Sequence, residues 1–253
     1  MSFVQGSAVS FIVLLAYCVG TYLTIRAYQG KKEFPIKRLK GLDFIDDALG
    51  RVTEMGRPAH FSMGSGELDA QYFAAFEYLK YIAQKAARYD ADLIVTNAIP
   101  EVQPVTEEIV RSAYANEGKA DRYKPDNIRY VSVYALRPAV LGTFQREQVA
   151  ANFMLGNYYH ESVIFVEAAS SVGAISIGGT TQTAQIPFFV AGADYTLIGE
   201  EFYAGSIALS GNVTHFGCLA AQEGGKYVAM ALMALGAIMA TAGNNALIQL
   251  MKK

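Results

Sequence analysis

The chain has 253 residues, enough for one large domain or two small ones, and its formal net charge of −2 lacks the basic excess that nucleic-acid binding demands. Charged residues make up only 17% and apolar residues 52%, and the apolar excess is concentrated at the two ends of the chain. Cys18 and Cys218 fall in an apolar helix and an expected strand with no paired spacing, which argues against a disulfide framework or a zinc site.

Ser7 to Ile25 is an almost unbroken apolar run, long enough as a helix to cross the hydrocarbon core of a bilayer. No lysine or arginine precedes it, so it lacks the basic leader of a signal peptide. Arg26, Lys31, Lys32, Lys37, Arg38 and Lys40 follow it. This asymmetry predicts an anchor over residues 1–28, with the N-terminus outside the cell membrane and the next segment in the cytoplasm. Residues 29–40 then read as a basic linker beside the lipid headgroups, interrupted by Pro35.

Residues 41–222 read as a cytoplasmic α/β domain. A short amphipathic helix carries Leu42, Ile45, Leu49 and Val52 on one stripe and ends at Gly56-Arg57-Pro58. Ala59 to Met63 reads as a strand, and Gly64-Ser65-Gly66 turns it into a helix with Leu68, Tyr72, Phe76, Leu79, Ala83 and Ala86 at three and four spacing. Asp92 to Thr96 is a short buried strand, Thr106 opens a helix through Tyr114, and Arg129 to Val133 is a third strand. Pro138 suits the first turn of a helix expected to continue, broken near Gly156, to Ala169. This alternation predicts a Rossmann-like, mostly parallel sheet with flanking helices.

The densest stretch runs from Ala174 to Tyr203. It reads as a strand to Ile177, a turn at Gly178-Gly179, a second strand opened by Pro187 and running from Phe188 to Gly192, and a helix capped by Asp194 or Thr196. The short gap between those two strands suggests an antiparallel pair. The hydroxyls of Thr180, Thr181 and Thr183 ordinarily serve turn chemistry, and Glu200 and Glu201 ordinarily complement a helix dipole. Such a stretch forms a pocket wall or a subunit contact. A helix to about Ser210 and a strand from Val213 to Leu219 follow. Residues 223–253 then contain a second apolar run, Tyr227 to Leu250, in which Gly236 and Ala240 make a small-residue face while Asn244 and Asn245 are polar. It is expected to span the membrane or to be buried in an oligomer.

Chemistry has few footholds. Gly64-Ser65-Gly66 joins a strand to a helix start and is the nearest thing to a phosphate cradle. Asp69 stands where a dinucleotide fingerprint has its third glycine, Glu67 adds a second negative charge, and no P-loop lysine follows, so a structural turn competes with that reading. Gly178, Gly179, Thr180 and Asp194 complete the candidate pocket. His160 and Glu167 are seven residues apart, about 10 Å of helical rise, too far to share an ion. Glu161 with Asn157 makes a polar pair, and a buried Glu161 would need a partner such as Arg137 or Arg146. His60 and His215 lack partner motifs, and no Gly-x-Ser-x-Gly elbow is present. No catalytic set, metal site or cofactor is expected.

The segments Gly50 to Phe61, Ala86 to Asp90, Tyr158 to Ser162, and above all Gly179 to Phe189 with Asp194 to Ala204, resemble a prokaryotic membrane-anchored family catalogued as domain of unknown function six-seven-five-four. The resemblance covers most of residues 41–250, implies a membrane-flanked cytoplasmic domain, and transfers no catalytic residue. Together these features predict a structural or scaffold subunit at the inner membrane, its partners being the lipid bilayer and further copies or other subunits. The alternative is a tethered enzyme or sensor that binds a nucleotide or small anion at the sheet's carboxyl edge.

Overall fold

Strands too short to stand alone gain stability by stacking side by side between helices, and here they do so in one direction only. The computed structural model describes residues 7–29 and 40–241. Its sheet contains β1 (Ala59–Ser62), β2 (Leu93–Asn97), β3 (Ile128–Tyr130), β4 (Ala151–Leu155), β5 (Ile175–Thr180) and β6 (Tyr195–Ile198) in the order β3-β2-β1-β4-β5-β6. Every pairing is parallel. The order reverses between β1 and β4, the arrangement of the doubly wound dinucleotide-binding folds. Every residue of β1, β2 and β4 is buried, as central strands covered on both faces must be.

One face is covered by α2 (Lys40–Met55), α3 (Ala70–Arg88), α4 (Gln103–Asn116) and α8 (Glu200–Ser210). Ile45, Leu49 and Val52 of α2, and Tyr72, Leu79, Ile82, Ala83 and Ala86 of α3, put their helical stripes onto Phe61, Val95, Phe153 and Ile177 of the sheet. Each fully buried large apolar side chain contributes about 1.5–3 kcal/mol. Phe44 of α2 stacks on Tyr195 with ring centroids 3.5 Å apart, which shields the β6 edge. The opposite face carries α5 (Leu136–Glu147), α6 (Glu161–Ser171) and α7 (Ile186–Gly192), packed through Val140, Phe144, Phe165 and Phe189.

That second face hides a polar row across neighbouring strands: Thr96, His60, Asn152 and Ser176. His60 Nδ1 lies 3.0 Å from Asn152 Oδ1 and Nε2 lies 3.1 Å from Thr96 Oγ1. Its ring meets Phe144 edge-on at 4.9 Å. Burial pushes the His60 pKa down to about 4 against the pull of the Asn152 hydrogen bond, with Arg129 lowering it further. A neutral ring therefore donates Nδ1–H to Asn152 and accepts the Thr96 hydroxyl proton. Asn152 Nδ2 and Ser176 Oγ, both buried, find no partner.

Several segments correct the sequence expectation. The helix expected from Pro138 to Ala169 is α5, then β4, then α6. β4 was hidden because Ala, Met and Leu favour helix locally, and only its position between β1 and β5 makes it a strand. Pro187 opens a helix, α7, rather than a strand, occupying the first-turn position that needs no N–H. The strand paired with β5 is instead β6, and it is parallel, because the connection holding α7 is long enough for a crossover. Val213 to Leu219 is helical, the start of α9 (Val213–Thr241), with Asn212 Oδ1 accepting from Thr214 N at 2.9 Å.

The chain divides into two compact units, residues 36–210, which hold the sheet, and residues 1–35 with 211–253. In the second unit α1 (Ser7–Tyr28) lies antiparallel to α9. The Tyr28 and Phe216 rings are 6.0 Å apart, Thr24 Oγ1 donates to Gly217 O at 2.9 Å, and Tyr17 faces Gly225. Among the described residues α1 is the one helix long and apolar enough to cross a membrane, over Phe11–Tyr28, so the expected C-terminal span lacks that support. Lys31, Lys32, Lys37 and Arg38 of the basic linker, and Asn244 and Asn245 of the second apolar run, lie outside the described residues.

A folded His60 pKa below its unfolded value means that the unfolded chain binds the proton first, so stability is lost as pH falls from about 6.5 to about 4. Denaturant titrations of the full chain in detergent should show His60→Leu changing in stability relative to the parent by about 3 kcal/mol across that window, with the variant less acid-sensitive. Parallel pH profiles for the two would contradict the assignment.

Candidate functional site at the sheet switch point

In a sheet of this order, ligands sit beyond the carboxyl ends of the two central strands. There the loop after β1, Met63-Gly64-Ser65-Gly66, meets the loop after β4, Gly156-Asn157-Tyr158-Tyr159-His160. The Gly66 N–H donates to Asn157 O at 2.9 Å and the Asn157 N–H donates to Met63 O at 3.0 Å. Gly64, at φ +85°, cannot carry a side chain, because its Cβ would stand 2.1 Å from Asn157 O. Gly156, at φ +154°, is held the same way, 2.3 Å from Met63 O.

Side chains fill the crevice that remains. Glu161, buried at the first turn of α6, accepts the Ser65 N–H at 3.0 Å and the Ser65 hydroxyl at 2.5 Å on one oxygen, and the His160 N–H at 3.0 Å on the other. The turn that could cradle a phosphate thus holds the chain's own carboxylate, which the α6 dipole also favours. Asn157 Nδ2 donates to Glu67 O at 3.2 Å and Asp69 Oδ2 at 3.1 Å, which fixes the amide's orientation. Its Oδ1 is buried without a partner, and the amide lies so close to Gly66 that a Cβ there would be 2.3 Å from Asn157 Cγ.

Tyrosines and a glutamine brace this junction. Tyr158 donates to Ser62 O at 2.5 Å, and Tyr72 donates to Gly64 O at 3.2 Å and Gly66 O at 3.1 Å. Burial holds both phenols well above their ordinary pKa, and the Asp69 and Glu161 charges push Tyr72 further up, so both remain donors. Asp69 caps α3 by accepting the Gln71 N–H at 2.9 Å. Gln71 Oε1 in turn accepts the Thr181 N–H at 2.8 Å and the Thr180 hydroxyl at 3.1 Å, tying the end of β5 to the same cluster.

The expected pocket residues are brought together only in part. Gly64, Ser65, Gly66 and Thr180 share the carboxyl edge. Gly178 and Gly179 serve packing: a Cβ on the first would be 2.3 Å from the Phe189 ring, and on the second 2.6 Å from Leu155 Cδ2. Asp194 lies at the amino end of β6, accepting the Ser176 N–H at 2.7 Å, and does not join the others. Glu161 is satisfied by Ser65 and a backbone amide, not by Arg137 or Arg146. Asn157 reaches the same junction from a loop, outside α6, so the expected helical pairing with Glu161 is replaced by a shared contact with the β1 turn. His60 belongs to the sheet interior, His160 is exposed beside the site, and His215 lies on α9. Asp69, Gln71 and Tyr72 went unnoticed as a site; the capping aspartate two residues before Gln71 was the available signal.

A family model described as Domain of unknown function (DUF6754) matches residues 1–251, and the chain belongs to that family. No curated protein and no solved structure gives a significant match.

If the junction holds the two halves of the sheet together, Glu161→Ala should lose about 1–3 kcal/mol by stranding the half-buried Ser65 donors. Gly66→Ala should lose about 1–3 kcal/mol by overpacking against Asn157. Denaturant unfolding of the full chain checks both, and changes below about 0.5 kcal/mol, the usual range for surface positions, would show the contacts to be incidental.

Proposed function

We propose that this member of the DUF6754 family is a non-catalytic α/β module tethered to the inner face of the cell membrane, a structural subunit that self-associates or joins a larger membrane assembly. The observation carrying this reading is the occupied switch point. Where such folds place a dinucleotide, Glu161 and Asn157 consume the donors and the space of the Gly64–Gly66 turn.

Tethering is supported by α1, whose Phe11, Ile12, Leu14, Leu15 and Leu23 are exposed as lipid-facing residues would be, and by the six basic residues that follow its apolar run. The chain leaves α1 and enters α9 at the same end of the antiparallel pair, so both connections to residues 36–210 start on one side of the bilayer. In this reading α9 enters the membrane beside α1. The α/β unit also exposes large apolar side chains suited to partner contact, among them Tyr134 at 97% and Phe73 at 66%.

A second reading keeps a small anion as ligand. The Ser65 N–H and hydroxyl both point at one carboxylate oxygen, and an anion could take that place if Glu161 swung out.

Membrane fractionation and thermal shift separate these readings. The full chain should stay with membranes through an alkaline wash, Lys37 should react only with reagents admitted to the cytoplasmic side, and nucleotides or phosphate should leave the unfolding temperature of the detergent-solubilised chain unmoved. Release into the aqueous fraction without detergent would overturn the tether. Saturable stabilisation by a nucleotide would overturn the non-catalytic reading in favour of the ligand site.

A further inference from the structure

The turn that leads from β3 into α5 has an unusual composition. The Ala135 N–H donates to Ser132 O at 2.9 Å, which closes a four-residue turn with Val133 and Tyr134 at its two central positions. Such positions favour Gly, Pro, Asn, Asp and Ser, yet here Val133 is 45% and Tyr134 97% exposed. Among the described residues no ring stacks on Tyr134 and no group hydrogen-bonds its hydroxyl, so no contact within the chain accounts for it. Arg137, exposed in the first turn of α5, likewise has no ion-pair partner among the described residues.

The same helix layer carries a complement to this turn. α6 and α7 enclose a cleft of about 570 Å³ whose walls include Val163, Val166, Phe188, Ala191 and Ser170. Glu167 is the one charged residue on its lining, and among the described residues no cation pairs with it. α5 packs on α6 and α6 on α7, so the turn and the cleft lie on the same side of the sheet with α6 between them. Both α5, after β3, and α6, after β4, start at the carboxyl edge and run down towards the amino edge. Arg137 therefore stands about one turn below Tyr134, as Glu167 stands about 6 Å below Val163.

Resting on the self-associating reading above, we infer that a second copy of this chain fills the α6–α7 cleft with its Val133–Tyr134 turn, the exchange being mutual about a two-fold axis parallel to the strands. Such an axis sets the two helix layers face to face, brings the α5 side of one over the α7 side of the other, and leaves heights along the strands unchanged. The apolar turn then meets the mouth of the cleft at Val163 and Phe188, while Arg137 meets Glu167 one turn below. Both contacts occur twice. Tyrosine and arginine are the side chains that most often carry binding energy at interfaces, and a turn already closed loses little freedom on docking. The charges fix the direction in which the turn enters.

Two differently tagged full-length chains, coexpressed and captured through one tag in mild detergent, test this. Arg137→Glu alone sets carboxylate against carboxylate at both contacts, and Glu167→Arg alone sets guanidinium against guanidinium. Each should cut capture of an identical copy at least about tenfold. An Arg137→Glu chain mixed with a Glu167→Arg chain has opposite charges at both contacts and should recover capture to within about twofold of the parent. Tyr134→Ser should also cut capture at least about tenfold, with the circular dichroism of the chain unchanged, since that side chain is almost wholly exposed in its own copy. Failure of the mixed pair to recover, or undiminished capture by Tyr134→Ser or by either charge reversal alone, overturns the inference while leaving self-association through another surface standing. A parent chain that runs as a lone monomer in its detergent micelle overturns both this inference and the self-associating reading.

Discussion

The two halves of the sheet meet along one short pairing, β1 with β4, four residues on each side. Everything else in the α/β unit depends on that seam being held. The strands end at Ser62 and Leu155, and the seam then continues beyond them through loop contacts: Gly66 with Asn157, Asn157 with Met63, Tyr158 with Ser62, and Ser65 with Glu161. The charge-assisted bond to Glu161 is the strongest kind among these, and leaving its donors unmet would be costly in so dry a place. Through Asp69 and Gln71 the same network reaches Thr180 and Thr181, so the ends of β1, β4 and β5 are fixed as one body.

The faces of the sheet divide the remaining work unequally. Phe61, Val95, Phe153 and Ile177 meet α2, α3, α4 and α8 through apolar packing, which is non-directional and tolerant of small shifts. Thr96, His60, Asn152 and Ser176 meet α5, α6 and α7 through a buried polar row, which is directional and specifies one register. A slip of one residue in β1 would carry His60 away from both its partners and turn Phe61 to the wrong layer. The row gives less net stability than an apolar face would, as the unpartnered Asn152 Nδ2 and Ser176 Oγ indicate. In exchange it fixes strand alignment.

What could be read from the sequence follows the physics of each signal. The α3 stripe, the β1 and β2 runs and the turn at Gly64 were legible because periodicity and glycine chemistry are local. β4 was not, because Ala151 to Leu155 is composed mostly of helix formers and becomes a strand only between two others. That single omission concealed the site. Without a strand ending at Leu155, Asn157 and Glu161 fall on a supposed helix instead of a loop facing the β1 turn. The charge rule then sends Glu161 to an arginine, although a serine and backbone amides 96 and one residues away satisfy it. Of the negative residues near the turn, Asp69 is committed to capping α3 and to Asn157.

Hydropathy treats each terminal helix as an independent candidate, but the cost of a residue in a bilayer is set by what stands beside it. Aligned by their antiparallel contacts, the apolar run of α1 is opposite a stretch of α9 that contains Gln222, Glu223 and Lys226, while the α9 run from Tyr227 onward is opposite only the N-terminal half of α1. The two runs are staggered, so neither helix can be fully lipid-facing and fully solvated by the other at the same depth. An isolated pair would expose either charge to hydrocarbon or apolar surface to water. Under the tethered reading proposed above, this stagger calls for a further protein surface beside the pair, an expectation that rests on register and solvation and requires no chemistry of the α/β unit.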